Sequence, residues 1–106
     1  MARFGLHGSL LATPGQRDAL VKHMLDAAAL MEDAPGCDLY LVSTSETDDD
    51  EAVWITEIWR TEADHDASLS LPGVPELIGR ARPLIAGMGD SQRLVPIGGV
   101  GRSTKG

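Results

Sequence analysis

The chain has 106 residues and a mass of 11.2 kDa, which is the size of one compact domain, so a pair of catalytic domains with a site between them is excluded. Hydrophobic residues make up 42% and charged residues 24% of the sequence, and no apolar stretch reaches transmembrane length, so a folded soluble chain is expected. Nine Lys and Arg against sixteen Asp and Glu give a net charge of -7, which repels phosphate groups. Nucleic acids and membrane surfaces are therefore not expected partners.

The cysteine content and the first residues bear on the compartment. The single cysteine, Cys37, can form neither an intrachain disulfide nor a thiolate metal cluster. The sequence MARFGLHGSLL lacks the long apolar core of a signal peptide. We therefore expect a cytoplasmic location. Aromatic residues make up only 4% of the chain, so burial against another subunit would supplement a thin core.

The first half of the chain predicts a strand, a helix and a second strand. Alternation over residues 4–12 indicates a strand, with His7 on the face opposite Phe4 and Leu6. Pro14 and Gly15 end it. Apolar residues then recur at helical spacing until Pro35 and Gly36 stop the helix, and residues 37–45 alternate again as a strand. The predicted helix stripe comprises Leu20, Val21, Met24, Ala28 and Met31.

An acidic run follows at residues 46–51, with five acids in six positions. Such self-repulsion is typical of a solvated hairpin loop. Calcium binding is the alternative interpretation, but the run lacks the glycine and the terminal bidentate glutamate of an EF-hand loop. We therefore predict a plain loop and no metal site.

The second half predicts one strong strand, two helices and a last strand. β-branched and aromatic residues make 52–60 the clearest strand, and Thr61 is a candidate N-cap for a short helix through about Leu71. A third helix is predicted from Val74 to Met88, kinked but not ended by Pro83. Residues 92–97 predict a short strand, so the domain spans 1–97 and residues 98–106 form a flexible tail.

This order of elements predicts an α+β domain with a ferredoxin-like split βαβ arrangement and a four-stranded antiparallel sheet. The helices cover one face of the sheet only. The other face would remain exposed in a chain this short, so we predict a symmetric homodimer that buries the two sheet faces together.

Several short motifs, in their order and spacing over roughly residues 3–97, resemble the antibiotic biosynthesis monooxygenase family. They are TPG at 13–15, APGC at 34–37, WITEIW at 54–59, SLSLP at 68–72 and RPLI at 82–85. The resemblance implies a dimeric α+β barrel. It also implies an oxidoreductase that oxidises a phenolic, quinol or anthrone-like aromatic with molecular oxygen and without metal, flavin or haem.

The family's functional positions carry over only in part. Trp59 matches a tryptophan that lines the cavity in quinone-forming members. Where those members place a tyrosine and an asparagine, this chain has His65 and Ile55. A family arginine has no exact counterpart, although Arg80 and Arg82 lie near its position.

Haem-degrading members use a first-strand asparagine, a helix tryptophan and a helix histidine. The corresponding positions of this chain are His7, Ser68 and Leu77. The resemblance therefore does not imply haem cleavage.

Oxygenation without a cofactor requires a base that converts the substrate to an electron-rich anion, and histidine is suited to this by its pKa near neutrality. We predict His65 as the base, with His7 as the second candidate, Trp59 as the cavity wall and Glu57 as a residue that orients the base. Each also has a plain structural interpretation: a capping histidine, a core tryptophan and a sheet-surface glutamate.

Four further residues are predicted to bind substrate: His7, Ile55, Arg80 and Arg82. The arginines would stabilise developing oxyanion charge; the plain structural interpretation is that they are solubilising side chains on a helix flank. Two alternative functions stay open, a non-catalytic dimer that binds a small molecule and a polyketide cyclase or isomerase with the same fold.

Overall fold

The computed structural model describes residues 3–47 and 50–100. Its elements in chain order are β1 (Phe4–Ala12), α1 (Arg17–Met31), β2 (Cys37–Thr44), β3 (Ala52–Trp59), α2 (Glu62–Ser68), α3 (Val74–Ala81) and β4 (Ile85–Leu94), with a 3-10 turn (Arg82–Leu84) before β4. The four strands form one antiparallel sheet in the order β2-β3-β1-β4. This is the predicted α+β ferredoxin-like fold, which the structure confirms.

The helices pack on one face of the sheet, because each strand turns alternate apolar side chains toward them. Two core clusters lie between these layers, one around Trp59 and one around Leu20 and Val53. All three of these side chains are fully buried. Helix α1 contributes a stripe at helical spacing that consists of Leu20, Met24, Ala27 and Met31.

The opposite face, which we call the open sheet face, carries His7, Leu11, Leu41, Trp54 and Thr56. Its leucines remain 38% (Leu11) and 49% (Leu41) exposed. The His7 ring stacks on Trp54 with centroids 5.0 Å apart, and its Nδ1 lies 2.9 Å from the Thr56 hydroxyl oxygen. His7 is therefore on the side of the sheet away from the helices.

Local signals explain where α2 begins and why β2 follows a tight turn. Thr61 is the N-cap of α2, and its hydroxyl accepts a hydrogen bond from the Asp64 backbone N–H at 3.1 Å. Gly36 has φ +82°, and a Cβ there would lie 2.2 Å from an Asp64 carboxylate oxygen. Glycine is therefore required by both backbone conformation and space. The Gly36 carbonyl accepts a bond from the Arg60 backbone N–H at 2.8 Å, which joins the turn to the end of β3.

The prediction of a kinked third helix through Met88 is wrong. Helix α3 ends at Ala81, and Ile85 to Met88 belong to β4, which extends to Leu94. Pro83 disfavours helical geometry in the residue before it and has no N–H to donate, so the helix tightens to a 3-10 turn and stops. The segment beyond it pairs with β1 instead, with Ile85 opposite Ala12.

Parts of two predicted loops lie outside the described residues, namely 48–49 of the acidic run and 101–106 of the tail. On either side of the first gap, an Arg17 guanidinium N–H donates to the backbone oxygens of Thr47 at 3.0 Å and Asp50 at 2.9 Å. None of the helices in the described part of the chain has the length and apolar character needed to cross a membrane.

Candidate functional site

A cavity of about 420 Å³ lies between the helices and the sheet. Its size falls in the range of small-molecule sites, and most of its wall is apolar, as such sites usually are. The apolar lining comes from strands β1, β3 and β4 and from all three helices or their ends: Leu6, Leu10, Ile55, Ile85, Met88, Met24, Ala27, Met31, Val74, Leu77, Ile78, Ala81 and Leu69. We call this the helix-side cavity.

Two titratable side chains reach the helix-side cavity from adjacent strands. Tyr40 of β2 and Glu57 of β3 are paired directly across the antiparallel ladder, and both line the cavity. Directly opposed residues in such a ladder place their side chains on the same face within contact range. The register of the hairpin therefore brings a phenol and a carboxylate together in an otherwise apolar space.

Trp59 holds the Glu57 carboxylate in place. These residues are two apart on β3 and share a face, and the Trp59 indole N–H donates to Glu57 Oε1 at 2.9 Å. Within the part of the chain that the structure describes, this is the one hydrogen bond recorded for the Glu57 side chain. The other carboxylate oxygen is available to accept a hydrogen bond from a ligand.

The surroundings of Glu57 keep the Tyr40 phenol and the Cys37 thiol protonated. Burial raises the pKa of Tyr40, and the negative charge of Glu57 raises it further. The Tyr40 hydroxyl is therefore neutral around neutral pH and can donate a hydrogen bond. The same two causes, burial first and Glu57 second, raise the pKa of Cys37 to about 11. Cys37 is consequently a poor nucleophile.

The three predicted catalytic residues form a contiguous chain, but only Glu57 lines the cavity. Trp59 is fully buried in the core, and its ring meets the His65 ring edge-on with centroids 5.9 Å apart. His65 also lies 5.2 Å from the Phe4 ring, and its Nδ1 is 2.9 Å from Asp66 Oδ1. His65 thus contacts the rings of Trp59 and Phe4 and does not line the cavity.

The predicted substrate-binding residues are scattered. Ile55 lines the cavity from β3. His7 lies on the open sheet face, and Arg80 and Arg82 are exposed side chains that do not line the cavity. The roles predicted for these residues stay predictions.

Sequence reasoning missed Tyr40 as a site residue. The signal that could have found it is the β2–β3 hairpin: once a register is assumed, Tyr40 falls opposite Glu57 on the face that also carries Trp59. Three serines of the cavity wall, Ser9, Ser68 and Ser91, were also not predicted. The Ser68 hydroxyl donates to the His65 backbone oxygen at 2.6 Å, so it is already engaged within α2.

Comparisons with known proteins agree with this architecture. The family model described as antibiotic biosynthesis monooxygenase matches residues 3–78. A candidate antibiotic biosynthesis monooxygenase from Chloroflexus aurantiacus J-10-fl is similar over 94% of this chain and 98% of its own, with 44% identity and a TM-score of 0.85.

A candidate antibiotic biosynthesis monooxygenase from Caulobacter crescentus CB15 covers 92% of each chain at 19% identity and a TM-score of 0.80, which supports the fold. A protein from Pseudomonas aeruginosa is similar over 92% of this chain and 97% of its own, at 17% identity and a TM-score of 0.79. Among curated proteins, none matches the sequence. The family match extends over well more than half of the sequence, and the chain belongs to the antibiotic biosynthesis monooxygenase family.

Proposed function

We propose that the chain is a monooxygenase that oxidises a phenolic, quinol or anthrone-like aromatic in the helix-side cavity, with molecular oxygen as co-substrate and without a cofactor. The observation that carries the proposal is the Glu57 carboxylate, fixed by the Trp59 indole N–H and faced by the Tyr40 phenol in an apolar space of about 420 Å³. This arrangement supplies a proton acceptor and a hydrogen-bond donor for one hydroxylated ring.

Glu57 accepts the proton of the substrate in this proposal. The negative charge then moves from the carboxylate to the substrate oxygen, and the neutral Tyr40 hydroxyl donates to the oxyanion as it forms. The apolar wall excludes water, which strengthens these interactions. The resulting electron-rich anion reacts with oxygen more readily than the neutral phenol does.

The overall change balances for an anthrone-type methylene. The substrate carbon loses two hydrogens and gains one oxygen atom as a carbonyl, and the second oxygen atom leaves as water with those two hydrogens. The substrate supplies all four electrons that reduce the oxygen molecule, so no external reductant enters the reaction.

Oxygen uptake with a panel of quinols and anthrones tests this function. Glu57→Gln keeps an oxygen that can accept the Trp59 hydrogen bond but removes the base, so we expect turnover to fall by about a hundredfold or more. Glu76→Gln, an exposed carboxylate in the first turn of α3, is the matched control and leaves turnover unchanged. Product mass must show one added oxygen and two lost hydrogens.

His65→Ala separates the two candidate bases. Because His65 does not line the cavity, we expect this variant to keep most of the turnover once its folding is verified. A His65→Ala variant that folds normally but loses turnover as completely as Glu57→Gln contradicts the assignment and supports His65 as the base. Ligand binding without oxygen uptake in the native chain would favour the non-catalytic alternative, and product formation without added oxygen would favour a cyclase or isomerase.

We further propose that two copies of the chain pair through the open sheet face. Leu11 and Leu41 on this face are 38% and 49% exposed, and Leu94 of β4, which pairs with Gly5 and lies on the same face, is 45% exposed. Burial of such a surface against a second copy would remove it from water. Sedimentation is expected to give twice the chain mass. Leu41→Lys should shift the protein toward the monomer, and a native chain that sediments as a monomer would overturn the proposal.

A further inference from the structure

The mouth of the helix-side cavity is apolar. Leu69, Ile78 and Met88 all line the cavity and yet remain 51%, 39% and 72% exposed. A side chain that lines the cavity and is also exposed to solvent lies at the opening of the cavity. These three residues, which we call the apolar rim, come from the end of α2, from α3 and from β4. Grouped large exposed hydrophobic side chains mark interaction surfaces, among them the edges of ligand-binding grooves.

Tyr40 and Glu57 lie across the sheet from Met88, the member of the apolar rim on β4. Tyr40 and Glu57 are on β2 and β3, whereas Met88 is on β4, and β1 separates β3 from β4. Adjacent strands are spaced by about 4.8 Å, so the strand of Tyr40 and the strand of Met88 are about 14 Å apart. The cavity thus runs across the sheet from a hydrogen-bonding end to an apolar opening.

Charge restricts the ligand further. No lysine, arginine or histidine is among the described residues that line the cavity, and Glu57 is an acid. A carboxylate or phosphate on the ligand would lose its hydration and face Glu57 without a compensating cation. A neutral hydroxyl can instead donate to Glu57 and accept from Tyr40.

We propose, on the basis of the function proposed above, that the substrate class is an uncharged phenol or quinol that carries a long apolar side chain, such as an alkyl or prenyl group. The ring hydroxyl binds at Glu57 and Tyr40. The side chain extends across the sheet and leaves through the apolar rim, where it covers Leu69, Ile78 and Met88.

Binding of a homologous series tests this class without reference to turnover. Dissociation constants are measured in the absence of oxygen for para-cresol, para-propylphenol, para-pentylphenol and para-heptylphenol. Each methylene that enters the apolar part of the cavity should tighten binding by about fourfold. Heptylbenzene, which lacks the hydroxyl, and para-heptylbenzoate, which carries a negative charge, should both bind much more weakly than para-heptylphenol.

Rim variants show where the chain lies. Leu69→Ser, Ile78→Ser and Met88→Gln change exposed side chains, so the fold should be retained, which an unchanged unfolding midpoint verifies. Combined, they should flatten the dependence on chain length for the longest phenols and leave para-cresol unaffected. Leu25→Ser is the matched control, because Leu25 is 53% exposed on α1 but does not line the cavity.

Affinity that is independent of chain length, or a dependence that the rim variants do not alter, overturns the inference. So does heptylbenzene or para-heptylbenzoate that binds as tightly as para-heptylphenol. Failure of the proposed function looks different: the chain-length dependence persists, but no quinol of the series consumes oxygen. If quinols consume oxygen but their affinity does not depend on the length of the ligand's alkyl chain, the proposed function stands and the proposed substrate class is refuted.

Discussion

The thiol of Cys37 reports the charge of Glu57, which gives a direct check on the electrostatics of the cavity. Burial and the Glu57 carboxylate raise the pKa of Cys37 from 9.0 to about 11. The thiolate is the form that reacts with iodoacetamide. At about pH 8 the thiolate fraction is therefore about a hundredfold lower than for an unperturbed thiol.

Removal of the Glu57 charge should change the pH profile of Cys37 alkylation in a known direction. In Glu57→Gln the anion that opposes the thiolate is absent, so the pKa of Cys37 falls while burial keeps it above 9.0. Glu76→Gln, which alters an exposed carboxylate on α3, should leave the profile unchanged.

The assay is the rate of alkylation as a function of pH, followed by mass spectrometry. Cys37 is the single cysteine of the chain, so each label reports one site. The midpoint of the profile is compared rather than the absolute rate, because limited access to the thiol lowers the rate at every pH. A native midpoint near 9, or a midpoint that does not move in Glu57→Gln, would refute the reasoning.

Substitutions at Gly36, Trp59 and Thr61 test the framework that holds the site, each by urea unfolding. Gly36→Ala should lower the free energy of unfolding by about 1–3 kcal/mol, because its φ is +82° and the new methyl group meets Asp64. The control Gly79→Ala places its methyl group in open space, so it should be neutral or stabilise the fold by up to about 1 kcal/mol. Trp59→Phe removes the donor to the cavity carboxylate from a fully buried position and should cost about 1–3 kcal/mol; a neutral result would contradict the bond. Thr61→Ala should cost about 1 kcal/mol through loss of the α2 cap, and Thr61→Ser should restore most of it.

The fold could be predicted from the sequence wherever the local sequence signals agree with the tertiary packing. Alternation identified β1 and β2, β-branched and aromatic residues identified β3, and Thr61 marked the start of α2. The segment after Pro83 was misread because Leu84, Ile85 and Met88 continue a helical spacing by coincidence. Whether such a segment is helix or strand depends on the free edge of β1, which is a tertiary property that no local window contains.

The candidate site was predicted less well, because it depends on the strand register and on which side chains line the cavity. The sequence places Glu57, Trp59 and His65 near one another, and their rings and carboxylate do form a chain of contacts. It does not indicate that Glu57 lines the cavity whereas Trp59 and His65 do not. Nor does it pair Tyr40 with Glu57, since that needs the register of the β2–β3 ladder.

A crystal structure with bound para-heptylphenol tests the central claim most directly. The account predicts electron density for the ring in the helix-side cavity, with the phenol oxygen within about 3 Å of a Glu57 carboxylate oxygen. The same density should place the Tyr40 hydroxyl as the second partner of that oxygen. A phenol oxygen that contacts neither side chain, or a ligand seated outside the cavity, would contradict the account.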